Sequence, residues 1–338
     1  MVKSSSVTPY VAACLNIGYA VRNTINEMPF SERSVKTTSI LKPEATGRAT
    51  LADARGEERG VKVLETLSKD VGYNIHLIVN PANGLIYKIG NSAGSEVVFA
   101  YMDAVDGTWK VAGIGGPKYQ ANDGNWGTGV ALTQPTKASL EDLTIGDFTT
   151  AAITTGNPRK YPCAPDDVFA CRDESGQLVS YSSTKGEIRR IFTSTQAKLN
   201  QCFGYYDPFQ GFDRQTAKEG TEELGAKLWR LLENRNEGGC FDLIRSYGNL
   251  SALACNMLGW REDSLPESAG GIFVALNESL PNLIPAVPIV LGAGGLALDF
   301  EGNPLKDRKL TALRTDIIYI ANEALREQVM PFIEKARQ

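Results

Sequence analysis

The residues best suited to chemistry stand together in YMDAVDGTWK, residues 101 to 110. A β-rich run delivers Asp103, two residues pass, and Asp106-Gly107-Thr108 follows. Two carboxylates three apart at a strand end can converge on one hard cation, which takes oxygen from carboxylates, carbonyls and water. Gly107 lets the backbone approach a ligand and Thr108 adds a hydroxyl. If a helix or turn begins here, its free N–H groups suit a phosphate. Taken alone, the same pattern also describes an Asp-Gly turn closing a hairpin, and both readings stand at this point.

Composition removes several competing chemistries. The chain of 338 residues has one histidine, His76, which removes most histidine-based nucleophile schemes because only one imidazole could serve as base. His76 lies in the alternating run NIHLIVN and reads as a strand residue. The six cysteines, at 14, 163, 171, 202, 240 and 255, show no CxxC spacing. They read as small buried hydrophobes in a reducing compartment, not as zinc ligands. GIGG at 113 to 116 and GAGG at 292 to 295 lack full GxGxxG spacing and read as turns or close packing. A net charge of -4 argues against a broad cationic surface for nucleic acid or anionic lipid. No apolar run reaches the roughly 18 residues that span a bilayer. The N-terminal stretch reads as an amphipathic helix and not as a cleaved signal, so the expected location is cytoplasmic.

The elements that must position Asp103 and Asp106 follow from periodicity. Residues 8 to 28 carry apolar positions at helical spacing, ended by Pro29, and Asp53 to Leu67 reads as a second helix with an acidic start. From 72 to 183 come β-rich runs: NIHLIVN, GLIYKIG, EVVFAYM, WKVAGIG, TGVALT, TTAAITT, DVFAC and QLVSYS. Asn83-Gly84 between the first two signals a hairpin. The expectation is one antiparallel sheet covered by two helices. Beyond 185 the pattern alternates: strand IRRIFTS, helix TAKEGTEELGAKLWRLLEN, strand CFDLIRSYG, helix SALACNMLG and strand GIFVALN. Next come the apolar NLIPAVPIVLGAGG, then LALDF and a Gly-Asn-Pro turn. TDIIYIANEALREQVMPFIEKARQ is predicted to close the chain as a helix kinked at Pro331. The expected organisation is an N-terminal α+β domain over 1–185 and a C-terminal α/β domain over 186–338.

Four segments, in order, carry a resemblance to a known family. DAVDGTWKVAGIG resembles the DPxDGT signature of the inositol monophosphatase and fructose-1,6-bisphosphatase superfamily. TGRATLADARGEE is similar to its T-x-x-D segment, RSYGNLSALACNMLG to its R-x-x-G-S-A-A-L helix start, and GAGGLALDFEGNPL to its EAGG-x-x-x-D-x-x-G-x-P stretch. The resemblance implies a five-layer αβαβα sandwich, of mixed α+β and α/β character, with magnesium between the domains. It makes Asp103, Asp106 and the Val105 carbonyl metal ligands. Asp106, Gly107, Thr108 and Trp109 would meet the phosphorylated substrate, and Asp53, Asp103 and Thr108 would be catalytic, Asp53 and Thr108 holding or deprotonating the attacking water. It also implies a homodimer.

The pattern is broken at three places. The upstream Glu-Glu pair of the family falls on Val79-Asn80-Pro81, the last metal aspartate falls on Asn282, and bulky Trp109 follows the DGT threonine. With Asn80 and Asn282 neutral, a site for several magnesium ions becomes at best one weak site, since ligand charge tunes affinity over orders of magnitude. The expected activity is phosphatase-like hydrolysis of a small phosphorylated polyol, sugar or nucleotide. The alternatives are a metal-independent reaction, with Asp53, Asp103 and Asp106 as acids and bases, or a non-catalytic homologue. Magnesium titration with phosphate release separates them.

Overall fold

The computed structural model describes residues 8–40, 49–80, 84–91, 93–106, 126–156, 167–184, 186–207, 221–245, 270–310 and 314–338. Helix α1 (Pro9–Glu27) begins where the Thr8 hydroxyl accepts from the Val11 amide, with a proline in the first turn that has no amide to lose. After the short α2 (Phe30–Arg33), β1 (Lys36–Thr37) pairs with β2 (Ala49–Thr50) and leads into α3 (Leu51–Val71). Gly72, with φ 74°, ends α3 in the left-handed conformation that glycine adopts without penalty. Both predicted N-terminal helices are therefore present.

The first sheet contains β3 (Asn74–Asn80), β4 (Leu85–Ile89), β5 (Val97–Asp106), β6 (Gly127–Thr133), β7 (Phe148–Thr155), β8 (Asp167–Arg172), β9 (Leu178–Thr184) and β10 (Glu187–Arg190). Its spatial order is β10-β9-β8-β7-β6-β5-β3-β4. WKVAGIG lies outside the described residues. One expectation needs correcting: the sheet is mixed, because β3 and β5 pair in parallel. The β3–β4 hairpin occupies one edge, so β5 must return to the free side of β3 and enters it in the same direction.

The second sheet contains β11 (Phe203–Asp207), β12 (Asp242–Arg245), β13 (Gly270–Ser279), β14 (Leu296–Asp299) and β15 (Arg314–Ile320), in the order β12-β11-β13-β15-β14. Its helices are α4 (Thr221–Glu233), α5 (Leu280–Gly292) and α6 (Glu323–Arg337). The predicted helix over SALACNMLG lies outside the described residues. The C-terminal segment is also corrected, for TDIIYI forms β15 and the helix starts only at Glu323. Ile317 to Ile320 are buried on both faces between β13 and β14, where a continuous β-branched and aromatic run belongs. Asn322 then caps α6, its side chain accepting from the Leu325 amide.

Three apolar clusters define the layers. One joins α1 and α3 to the first sheet, one fills the space between the sheets around α5, and one joins the second sheet to α4 and α6. The result is the five-layer αβαβα sandwich. No helix among the described residues is long and apolar enough to cross a membrane. The two sheets are stitched beyond β10, where the Thr193 amide donates to the Ala293 carbonyl at 2.9 Å and its hydroxyl to the Ala321 carbonyl at 2.6 Å.

Close packing of α1 on the first sheet depends on Gly18. A Cβ there would stand 2.5 Å from the Cβ of Thr154, an atom fixed to the β7 backbone. Gly18→Ala is expected to destabilise by about 1–3 kcal/mol, as overpacked cores do. Gly60→Ala, whose new methyl meets the flexible Met102 thioether, should cost less. Urea unfolding of the two variants checks the ranking.

Candidate functional site

The decisive local feature is an irregularity in β5. Asp103 pairs with Gly129 and Asp106 with Gly127, so β5 uses three residues where β6 uses two. In a regular strand, residues three apart lie on opposite faces. The extra residue of this bulge returns Asp106 to the face that carries Asp103. That face is the one of Phe99 and Tyr101, directed at α5, whereas Met102, Ala104 and Val105 belong to the cluster under α1 and α3. The distortion is held by Thr128, whose hydroxyl donates to the Ala104 carbonyl at 2.8 Å.

Both cross-strand partners of the aspartates are glycines, so β6 puts no side chain beside them. Glycine within a strand commonly marks close approach of a ligand or another backbone. Gly127 and Gly129 were not singled out by the sequence reading, although GTG in a β-rich run is the signal.

Of the other expected residues, the structure describes the positions of Val105, Asn80, Asn282 and Asp53. Asp103 is half-buried, and Val105 is buried just before the strand ends at Asp106. The parallel pairing of β3 with β5 runs from Asn74 opposite Val97 to Leu77 opposite Ala100, three residues short of Asn80. A register shift against β4 turns the strand between Ile78 and Asn80. Asn282 is the third residue of α5. The last residue of that helix, Gly292, meets Val179 and Ser180 near the start of β9, so its first turn is directed to the opposite end, where β5 and β7 finish. Gly107, Thr108 and Trp109 lie outside the described residues.

Asp53 approaches from the other face. Along α3, Gly60 packs on Met102 and Gly56 on Ala104 and Val105, so one more turn back leads Asp53 toward the end of β5. Asp53 is 2 % exposed, and its Oδ2 accepts from the Thr50 amide at 2.8 Å and the Thr50 hydroxyl at 2.9 Å. It therefore has a definite structural duty as the third residue of a capping box. Glu57, also 2 % exposed, follows one turn later on the same helix face. Its four-residue spacing from Asp53 is the signal that the sequence carries for it.

Asp167, at the start of β8, adds a fully buried carboxylate to this end of the sheet and accepts from the Tyr19 hydroxyl at 2.7 Å. Burial, and then the charge of Asp167, push the Tyr19 phenol above its ordinary value. His76 stays on β3 with its ring edge-on to Phe99, and burial holds its pKa below the ordinary value. Burial pushes the thiols of Cys171 to about 11 and Cys240 to about 12, which removes both as thiolate nucleophiles at neutral pH.

No protein-family model matches the chain, and no curated protein sequence matches it. Solved structures do resemble it. An inositol monophosphatase from Zymomonas mobilis aligns with a TM-score of 0.59 at 15% identity, over 97% of this chain and 99% of that one. Fructose-1,6-bisphosphatase from Leishmania major gives a TM-score of 0.63 at 13% identity, over 99% and 95%. The Thermotoga maritima IMPase gives 0.56 at 15% identity, over 95% and 94%. The layered fold implied by the four sequence segments is thus the fold of the inositol monophosphatases and fructose-1,6-bisphosphatases.

If Thr128 holds the bulge, Thr128→Val should leave a buried carbonyl without its donor and cost about 1–3 kcal/mol. Thr128→Ser, which restores the hydroxyl, should recover most of that. Chemical denaturation of the pair, with the wild type as reference, measures both.

Proposed function

We propose that this protein is a phosphatase-like hydrolase acting on a small phosphorylated polyol, sugar or nucleotide, assisted by one loosely held magnesium ion. The observation that carries the reading is the β5 bulge, which sets Asp103 and Asp106 on one face opposite two glycines. Fold alone does not select a reaction, so the weight falls on these groups.

The donor set fits one hard cation. Asp103, Asp106 and the Val105 carbonyl offer oxygen ligands of the type magnesium prefers, while Asn80 and Asn282 contribute no charge. Among the described residues no cluster of three or more His, Cys, Asp or Glu is placed to hold a metal. When bound, such an ion would polarise the phosphoryl group and ease deprotonation of a water. The protein's own part is positioning. Asp53, fixed by Thr50, would orient and deprotonate the attacking water together with Thr108. The Gly107 amide and Thr108 hydroxyl would hold phosphoryl oxygens, and Trp109 would wall the substrate next to Asp106. The reading carries with it a cytoplasmic homodimer working on a small molecule, with no nucleic-acid or membrane partner.

The neutral pair Asn80 and Asn282 favours a second reading, the same scaffold running a metal-independent reaction. There Asp53, Asp103 and Asp106 would serve as general acid and base. Phosphate release from a panel of phosphomonoesters, with and without magnesium, separates the readings: turnover that ignores magnesium leaves only the second.

Asp103→Asn is expected to abolish turnover while the melting temperature holds or rises, because removing site repulsion often stabilises. Unfolding with surviving activity would make the pair a structural turn. The double variant Asn80→Glu with Asn282→Asp should raise magnesium affinity at least about tenfold, which needs only ~1.4 kcal/mol. It should also melt lower than wild type without magnesium and recover when the ion is added. A melting point indifferent to magnesium would sink the assignment of Asn80 and Asn282 to the site.

A further inference from the structure

The layer between the sheets is incompletely filled beside the C-terminal half of α5. There the flank of α5, the starts of β7 and β9, and β14 line a half-open pocket of about 410 Å³. That volume falls in the range of about 300–1,000 Å³ typical of small-ligand pockets. At roughly 30 Å³ for each water-sized atom, it accommodates about a dozen heavy atoms. Most of its lining is apolar and includes Phe148, Leu178, Val287, Leu291 and Leu298.

Three polar side chains break this lining. Thr149 lines the pocket at the start of β7, where that strand shifts register against β6 between Phe148 and Thr150. It is 6% exposed, and its Oγ1 has no hydrogen-bond partner among the described residues. An unsatisfied buried hydroxyl is costly and uncommon in native proteins, and a ligand oxygen would relieve it. The other two are cations, Arg172 and Lys306, which line the pocket yet remain exposed and so stand at its mouth. Arg172 also donates to the Gly176 carbonyl at 2.7 Å, which fixes its place at the β8–β9 turn. None of the described residues lining the cavity is acidic.

We propose that this cavity is a second small-molecule site that binds an anionic amphiphile, an aliphatic body of about ten carbons carrying one carboxylate. The apolar walls take the chain, and Arg172, Lys306 and the Thr149 hydroxyl take the head. The site uses the end of α5 opposite to Asn282 and shares no residue with the Asp103–Asp106 site, so it stands or falls independently of the proposed hydrolysis.

Calorimetric titration of the full chain with decanoate tests it. Wild type should bind one molecule saturably, and Arg172→Ala with Lys306→Ala should weaken binding at least about tenfold. Thr149→Val should weaken it several-fold. Binding of 1-decanol, which has no charge, should be unaffected by the double variant, and decyltrimethylammonium should not compete. Because Arg172 also holds a turn, Lys306→Ala alone, with a wild-type melting curve, repeats the test if the double variant does not fold. Absence of saturable decanoate binding below about 1 mM would overturn the proposal. Equal affinity of wild type and the charge variants would overturn it too, since it would reduce the cavity to unspecific apolar surface.

Discussion

The architecture hangs on a helix with no charged residue, enclosed between two β-sheets. α5 contains Pro285 and Pro288, each of which removes a backbone donor and costs about 3 kcal/mol in a helix interior. In water such a segment would not remain helical. Here Leu283, Ile284, Val287, Ile289 and Val290 are at most 1% exposed, and their burial contributes roughly 8–15 kcal/mol at 1.5–3 for each side chain. That exceeds the cost of the prolines, so packing overrides local preference. The sheets must also supply hydrogen bonds to a helix they enclose, and Ser180 of β9 donates to the Ile289 carbonyl at 2.7 Å.

Because α5 fixes the separation of the sheets, it also decides what the inward face of β5 meets. Asp103 and Asp106 would be expensive on that side if they faced only apolar side chains. Their position at the strand end, opposite Gly127 and Gly129, leaves room for polar partners. The bulge costs ladder regularity, and the Thr128 hydroxyl offsets part of that by satisfying the Ala104 carbonyl. Two carboxylates on one face repel each other unless a cation or proton stands between them. Such a pair is compatible with a cation-assisted reaction as well as with acid and base catalysis.

The likeness to solved phosphatases at 11–15% identity concerns layers and connections, not chemistry. Layers persist because many sequences can bury similar apolar faces, while a metal site fails with the loss of one or two charges. Asp53 illustrates how the two demands overlap. Its carboxylate closes the first turn of α3 and also points the turn toward the end of β5, so its presence by itself is no proof of catalysis.

The sequence by itself determined those features that depend on neighbours along the chain. The helical spacing of α1, the acidic start of α3, the alternating run around His76, the β-rich run leading to Asp103, and the order of the four family-like segments were all legible. Their signals lie in periodicity and turn chemistry, which act within a few residues. Tertiary structure decided the rest. TDIIYI continued an apolar pattern into a helix until burial between β13 and β14 made it a strand. The parallel pairing of β3 with β5 depends on which edge the β3–β4 hairpin leaves free. The common face of Asp103 and Asp106 depends on β6, because a register shift exists only between two strands and cannot be written into one of them.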